Sequence, residues 1–374
     1  MKWSATLCGL AAATALPLAA EVRLARAEQR LTDRWRDCPV APRSGTSLGI
    51  SFRPRQAEAL GLDSDRTLDR LLGHPFDVIR LGAYWNRMDP HPGELDTGEL
   101  DRHIAAAERA GKQIILCVGA VKTFGYPEFF VPPRHLRDPL PEGTLITPAT
   151  HPALLTAATG FVRRVVHRYR DRDSIVAWQI EHDAVDPLGM EHSWRLGVAF
   201  VRAEVDAVRE ADPARPVLLN GFLPTSLPVR AQQWWRTRDQ GDSLDVAREL
   251  ADIVGIDSYP RHALATIGSR TLYLDGADSP WQGRLRALFR SGREIMVTEG
   301  QAEPWETVTD PPNPRDRGMY SCLPEQLIRN YNRCMAWPAN LSAYLFWGAE
   351  YWVRRDEDGD PRYLRAFARV LDQA

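Results

Sequence analysis

Beyond residue 45, short apolar and β-branched runs alternate with stretches of helical periodicity almost to the end of the chain. Eight runs read as strands: 47–52, 77–82, 113–119, 174–181, 216–220, 253–257, 294–298 and 341–347. Between them the pattern predicts helices over 65–72, 100–110, 194–211, 281–290, 324–336 and 361–371. The clearest helix carries Leu154, Ala158, Phe161, Val165 and Tyr169 at spacings of three to four, with Leu155, Val162 and Val166 widening the stripe. Gly111 follows the second helix where a C-cap residue belongs. A Pro-rich stretch over 127–150 is too long for an ordinary connector.

Strand runs that are apolar almost throughout imply a sheet covered on both faces, which is the parallel arrangement. Eight alternations without a break in composition point to one closed (β/α)8 barrel over residues 45–374. A doubly wound open sheet is the rival. It would carry a Gly-rich nucleotide loop after an early strand, and the chain has none.

Composition narrows the function more than the fold. Forty-seven basic against 49 acidic residues leave a formal charge of -2, with no long run of one sign. Nucleic acid is therefore not an expected partner. Twelve Trp suit an aromatic-rich cleft. Residues 1–30 differ: Lys2, an Ala/Leu-rich run from Leu7 to Ala20, then Ala25-Arg26-Ala27. They read as a signal peptide, giving a secreted or cell-envelope protein. An N-terminal membrane tether or an Ala-rich helix of a cytoplasmic protein are the alternatives; the run is short for a span. Among the five cysteines no metal spacing occurs; Cys322 and Cys334 could form a bridge or remain buried thiols.

In such a barrel chemistry sits at the C-terminal strand ends. Those ends collect Arg80, Tyr84 and Trp85 on strand two and Lys122 on strand three. Strand four adds Glu181, His182 and Asp183, strand five Asn220, and strand six Asp257 and Tyr259. Glu299, Gln301 and Glu303 follow strand seven, and Trp347 and Glu350 strand eight. Acids, a base, an amide and aromatics on one rim make an inventory suited to sugars. Trp305, after Gln301 and Glu303, reads as part of a cleft wall, with Glu303 itself a solvated loop residue.

These landmarks resemble the clan of retaining (β/α)8 glycoside hydrolases that includes family 5 cellulases and mannanases and family 42 β-galactosidases. The resemblance rests on Ile79-Arg-Leu, Trp85, Asp89-Pro90, Gly93-Glu-Leu-Asp96, Trp178-Gln-Ile-Glu-His-Asp183, Gly255-Ile-Asp-Ser-Tyr259-Pro260, Thr298-Glu299 and Phe346-Trp347-Gly348. It implies cleavage of β-glycosidic bonds in a carbohydrate substrate, without metal or cofactor. Glu299 falls at the nucleophile position; Arg80 and Tyr259 fall where the clan bonds the nucleophile, and Trp347 where it places an aromatic platform. Trp85, Glu181, His182 and Trp305 complete the candidate substrate contacts.

Strand four departs from the clan. Where the clan ends with Asn-Glu, this chain has His182-Asp183. Asp is a methylene shorter than Glu, and a displacement of ~1 Å can cost about 10²-fold in rate. Three readings stay open: Asp183 as acid/base, Glu181 in that role two residues earlier on the same strand, or a non-catalytic glycan-binding protein. Transglycosylation is a further alternative to hydrolysis.

Overall fold

The computed structural model describes residues 22–26, 31–93, 95–125, 129–136, 138–141, 143–186, 194–267, 270–275, 283–304, 321–338 and 341–374. The signal-peptide residues, apart from Val22–Arg26, and Trp305 lie outside them. Eight parallel strands close a barrel: β1 Ser47–Ser51, β2 Val78–Gly82, β3 Gln113–Cys117, β4 Ile175–Gln179, β5 Val217–Phe222, β6 Ile253–Ser258, β7 Glu294–Gln301 and β8 Ala343–Trp347. Each pairs with its neighbours in chain order, and β8 pairs with β1. The fold is a single (β/α)8 barrel.

The outer helices are α1 Ser64–Leu72, α2 Gly98–Arg109, α3 Pro152–Tyr169, α4 Val198–Ala211, α5 Ser243–Leu250, α6 Gly283–Phe289, α7 Pro324–Met335 and α8 Arg362–Gln373. Their starts have local causes. Asp63 caps α1 by accepting from Arg66 N at 2.8 Å, and Asp242 caps α5 by accepting from Asp245 N at 3.1 Å. Pro152 and Pro324 open α3 and α7, where a missing N–H costs nothing.

Several elements were not legible in the pattern. The connection from β5 to β6 holds α5 and a helix over Leu227–Thr237. The first spans only 8 residues, too short for periodicity to declare itself. The second carries Trp234 and Trp235 at 67% and 61% exposure, so its largest apolar residues contradict its burial pattern. A hairpin of Arg261–Ile267 and Arg270–Asp275 also follows β6, and Val22–Arg26 adds to it antiparallel.

Alternation along each strand sorts the core. One set faces the helices, including Ile79, Leu81, Ile114, Leu116, Trp178 and Val254. The opposite set fills the barrel with Val78, Ile115, Ala177, Leu218, Ile253, Met296, Ala343 and Leu345. Two residues further along, the inward positions become Arg80, Cys117, Gln179, Asn220, Thr298 and Trp347, all buried. An apolar plug thus supports a polar storey above it. The described cysteines, Cys38, Cys117, Cys322 and Cys334, are all free thiols, so no Cys322–Cys334 bridge forms. Among the described residues no helix is long and apolar enough to cross a membrane.

Gly49 on β1 leaves space for its neighbour, since a Cβ there would lie 1.9 Å from the Val78 carbonyl oxygen. Gly49→Ala is expected to lower the unfolding free energy by about 3 kcal/mol, the upper end of overpacking. A urea midpoint equal to that of the parent would contradict this packing.

Candidate active site

Glu299 sits near the end of β7 because that strand is irregular. Pairing with β6 runs from Val297 opposite Ile256 directly to Glu299 opposite Asp257, so Thr298 is an extra residue. A bulge of this kind re-aims side chains that a regular pleat would send to opposite faces. Thr298 Oγ1 therefore reaches Asp257 Oδ1 at 2.7 Å while Glu299 also enters the barrel mouth.

Three side chains close on the Glu299 carboxylate. Arg80 Nη1 donates to Oε1 at 2.7 Å, Tyr259 OH donates to Oε2 at 2.7 Å, and His182 Nε2 lies 2.9 Å from Oε1. Burial alone would raise the proton affinity of Glu299, but His182 and Arg80 outweigh it and hold the carboxyl down at about 2. Arg80 is itself aimed from below. Its Nε donates to Gln179 Oε1 at 2.7 Å, and its guanidinium covers the Phe124 ring at 4.0 Å. Gln179 Nε2 donates to Asn220 Oδ1 at 3.0 Å, and Asn220 Nδ2 donates to Asp257 Oδ2 at 2.6 Å. Gln179, Ser51 and Thr298, absent from the sequence-derived site, complete this network. Polar residues inside otherwise apolar strand runs were the available signal.

The end of β4 is equally irregular. Glu181 and Asp183 have φ of 52° and 42°, the left-handed region that costs non-glycine residues roughly 1–2 kcal/mol each. This breaks the alternation that places residues two apart on one face. His182 lands beside Glu299, whereas Glu181 turns to the helix layer. There its oxygens accept from the Val121 and Lys122 amides, and its carboxyl bonds Glu204 of α4. Burial raises both carboxyls, and the charge of Glu181 raises that of Glu204 further. Glu181 is thus corrected from substrate contact to buried support.

Asp183 remains with the cluster. Its Oδ1 accepts from Phe222 N at 2.8 Å, and its backbone carbonyl accepts from Lys122 Nζ at 2.6 Å. Burial pushes its carboxyl up to about 7; His182 and Lys122 oppose that rise, and the charges of Asp186 and Glu299 add to it. Asp257 is raised for the same reason, by burial and by the charges of Glu299 and Asp183.

Trp347 lies over this group. Its ring is parallel to that of His182 within 4°, with centroids 6.4 Å apart, and Arg53 covers it at 4.2 Å. Arg53 in turn bridges Glu303, 2.9 Å from Nη1, and Glu350, 2.6 Å from Nη2. Glu303 is therefore not solvated but 1% exposed. Gly348, at φ 125°, permits this approach, since a Cβ there would meet the Glu303 Cβ at 2.5 Å. Trp85 is a second correction. It is wholly buried, stacks between His135 and Phe161 of α3, and donates to Asp89 Oδ2 at 3.2 Å. Large apolar area wins over position on the rim.

His182, Asp183 and Asp257 bring one potential metal-ligating atom each within 4.8 Å of one another. Each also meets a neighbouring group: His182 Nε2 lies 2.9 Å from Glu299 Oε1, Asp183 Oδ1 accepts from Phe222 N, and Asp257 accepts from Asn220 and Thr298. A cavity of about 310 Å³ lined by Tyr84, Arg87, Glu99 and His103 lies apart from Glu299 and contains none of its partners.

Comparison with known proteins agrees with this architecture. The family 42 glycoside hydrolase model, described as Beta-galactosidase, matches residues 63–187, about a third of the chain, running from α1 past Asp183 but not to Glu299. Xylanase 10B from Thermotoga maritima superposes with a TM-score of 0.54 at 14% identity, covering 88% of this chain and 95% of that one. A β-galactosidase from Bacillus circulans sp. alkalophilus gives 0.53 at 14% identity, covering 88% of this chain and 55% of that one. The exo-β-1,4-mannosidase Op5Man5 from Opitutaceae bacterium strain TAV5 gives 0.52 at 16% identity, covering 81% and 51%. This chain thus spans about half the length of the last two. No match is found among curated proteins. The chain is therefore similar to the (β/α)8 glycoside hydrolases in one sequence segment and in its fold.

Arg80→Met would leave a buried carboxylate without its cation, which typically costs about 3–5 kcal/mol. Denaturant unfolding is expected to show that loss, and Glu299→Gln in the same background is expected to recover part of it. Additive losses in the double variant would mean that the two side chains do not depend on each other.

Proposed function

We propose that this protein is a retaining hydrolase of β-glycosidic bonds, with Glu299 as nucleophile and Asp183 as acid/base. One arrangement carries the reading: Arg80, Tyr259 and His182 close on Glu299 while Asp183 is buried in the same cluster beside His182, so charge holds Glu299 down at about 2 and burial pushes Asp183 up to about 7. Such a divergence is how paired carboxyls divide an ionised role from a protonated one.

In the first step the Glu299 carboxylate attacks the anomeric carbon while Asp183 gives its proton to the departing glycosidic oxygen. A glycosyl ester on Glu299 results. Water then attacks that carbon as the Asp183 carboxylate takes its proton, and the ester bond breaks to regenerate Glu299. Arg80 and Tyr259 hold the attacking carboxylate from opposite oxygens. His182, in place of an amide, meets the same carboxylate, and its ring stacks parallel to that of Trp347. Comparison with proteins named xylanase, mannosidase and β-galactosidase favours a β-linked pyranoside as substrate. The N-terminal run supports action outside the cytoplasm.

One contact favours the rival reading of a glycan-binding protein without turnover. Phe222 N already occupies Asp183 Oδ1, and a carboxyl one methylene short must also reach the leaving oxygen. Turnover decides between them. A screen of aryl β-glycosides and polysaccharides is expected to find hydrolysis that Glu299→Gln lowers by about 10³-fold or more. A 2-fluoroglycoside is expected to label Glu299. Binding without hydrolysis in the parent, with turnover appearing in Asp183→Glu, would establish the rival instead.

The pH profile offers an independent check. Asp183 must start protonated, so kcat/KM is expected to fall as pH rises through about 7. Glu299 stays ionised far below that, leaving no acid limb between pH 4 and 7 from this group, as roughly follows from its value of about 2. In Asp183→Asn the alkaline limb is expected to vanish with the activity toward poor leaving groups. A limb unmoved by that substitution would remove Asp183 from the role.

A further inference from the structure

Asp183 cannot hold its conformation unaided. It and Glu181 both occupy the left-handed region, and the strand ladder of β4 has ended at Gln179. What meets this turn is the exit of β3, in a reciprocal arrangement. The Glu181 carboxylate takes the amide hydrogens of Val121, at 2.9 Å, and of Lys122. In the other direction the Lys122 ammonium takes two carbonyls of the β4 turn, Asp183 O at 2.6 Å and Asp186 O at 3.0 Å. Asp186 N closes the turn on Asp183 O at 3.1 Å. Lys122 is 2% exposed and Glu181 wholly buried, so water does not substitute for these bonds. Gly119 makes the approach feasible: a Cβ there would lie 2.0 Å from Glu181 N and 2.5 Å from Glu181 Cα.

We infer that Lys122 is a positioning residue for Asp183, clamping the β4 turn so that the shortened carboxyl is held at the place of the leaving-group oxygen. This rests on the acid/base reading of Asp183. Lys122 Nζ donates to two backbone carbonyls of the turn that carries Asp183, and through them it sets where that turn lies. The clamp supplies what the loss of a methylene takes away. An aspartate has less reach than a glutamate, so its backbone must be fixed more closely for the same carboxyl position. The bonds of Lys122 to the carbonyls of Asp183 and Asp186 fix it on one side, and Phe222 N on Asp183 Oδ1 fixes it on the other.

Leaving-group dependence separates this role from a merely structural one. A 2,4-dinitrophenolate departs without a proton, whereas phenolate departure needs the acid. In Lys122→Met, kcat/KM is expected to fall by about 3-fold or less for the 2,4-dinitrophenyl glycoside and by about 30–100-fold for the phenyl glycoside of the same sugar. Azide is expected to restore kcat on the activated substrate, because it needs no general base. Equal losses on both substrates would overturn the inference, as would no loss on either.

Amide hydrogen exchange reads the clamp without any turnover. Exchange at Phe222 and Asp186 is expected to quicken about 10-fold or more in Lys122→Met, with the amides of β1 and β2 unchanged. Unchanged exchange at those two amides would refute the clamp even if activity fell. If the parent hydrolyses no glycoside, the hydrolase reading fails and the exchange result alone decides whether Lys122 holds the turn. Should Lys122→Met not fold, Glu181→Gln weakens the reciprocal half and is expected to give the same leaving-group signature; equal losses there count against the proposal.

Discussion

The centre of this molecule is a buried ion pair between Arg80 and Glu299, 2.7 Å apart and almost wholly out of water. Two such charges would cost several kcal/mol each if left unpaired at that depth. The barrel tolerates them because it supplies partners on every side: Gln179 for Arg80, Tyr259 and His182 for Glu299, with Asn220, Asp257 and Thr298 closing the network beneath. Replacing the network piecemeal leaves an uncompensated group, so its members are physically interdependent. The apolar plug of Val78, Ile115, Leu218 and Met296 below it keeps water from entering from the other end.

Two departures from regular strand geometry bring the chemistry to that pair. At β7 an extra residue lets Thr298 and Glu299 both point inward. At β4 two left-handed residues turn His182 toward Glu299 and Glu181 away from it. Conformations of this kind are held only where the surroundings over-determine them. The surroundings here are the bulge partner Asp257 in one case and the β3 exit, through Val121 and Lys122, in the other.

His182 and Asp183 are each tied to other strand ends. His182 adds a ring nitrogen beside Glu299 at 2.9 Å, strengthening what Arg80 and Tyr259 already do. Its opposite ring, Trp347, is held from behind by Arg53, which Glu303 and Glu350 keep in place. The backbone of Asp183 is anchored to Lys122.

The chain's own pattern determined the eight strands, the order of their alternation with helices, and the strand ends at which Arg80, Asp183, Tyr259, Glu299 and Trp347 fall. Those features are local: periodicity and residue type report burial on one face, whatever the partner. Only the tertiary structure decided that Trp85 belongs to the core beside Phe161, that Glu303 is buried against Arg53, and that Glu181 pairs with Glu204 rather than facing Glu299. Each depends on contacts between residues tens to hundreds of positions apart. Strict alternation would have placed Glu181 and Asp183 on one side of β4 and Thr298 and Glu299 on opposite sides of β7. A bulge and two left-handed residues reverse both assignments, because they answer to neighbouring strands and not to the sequence around them.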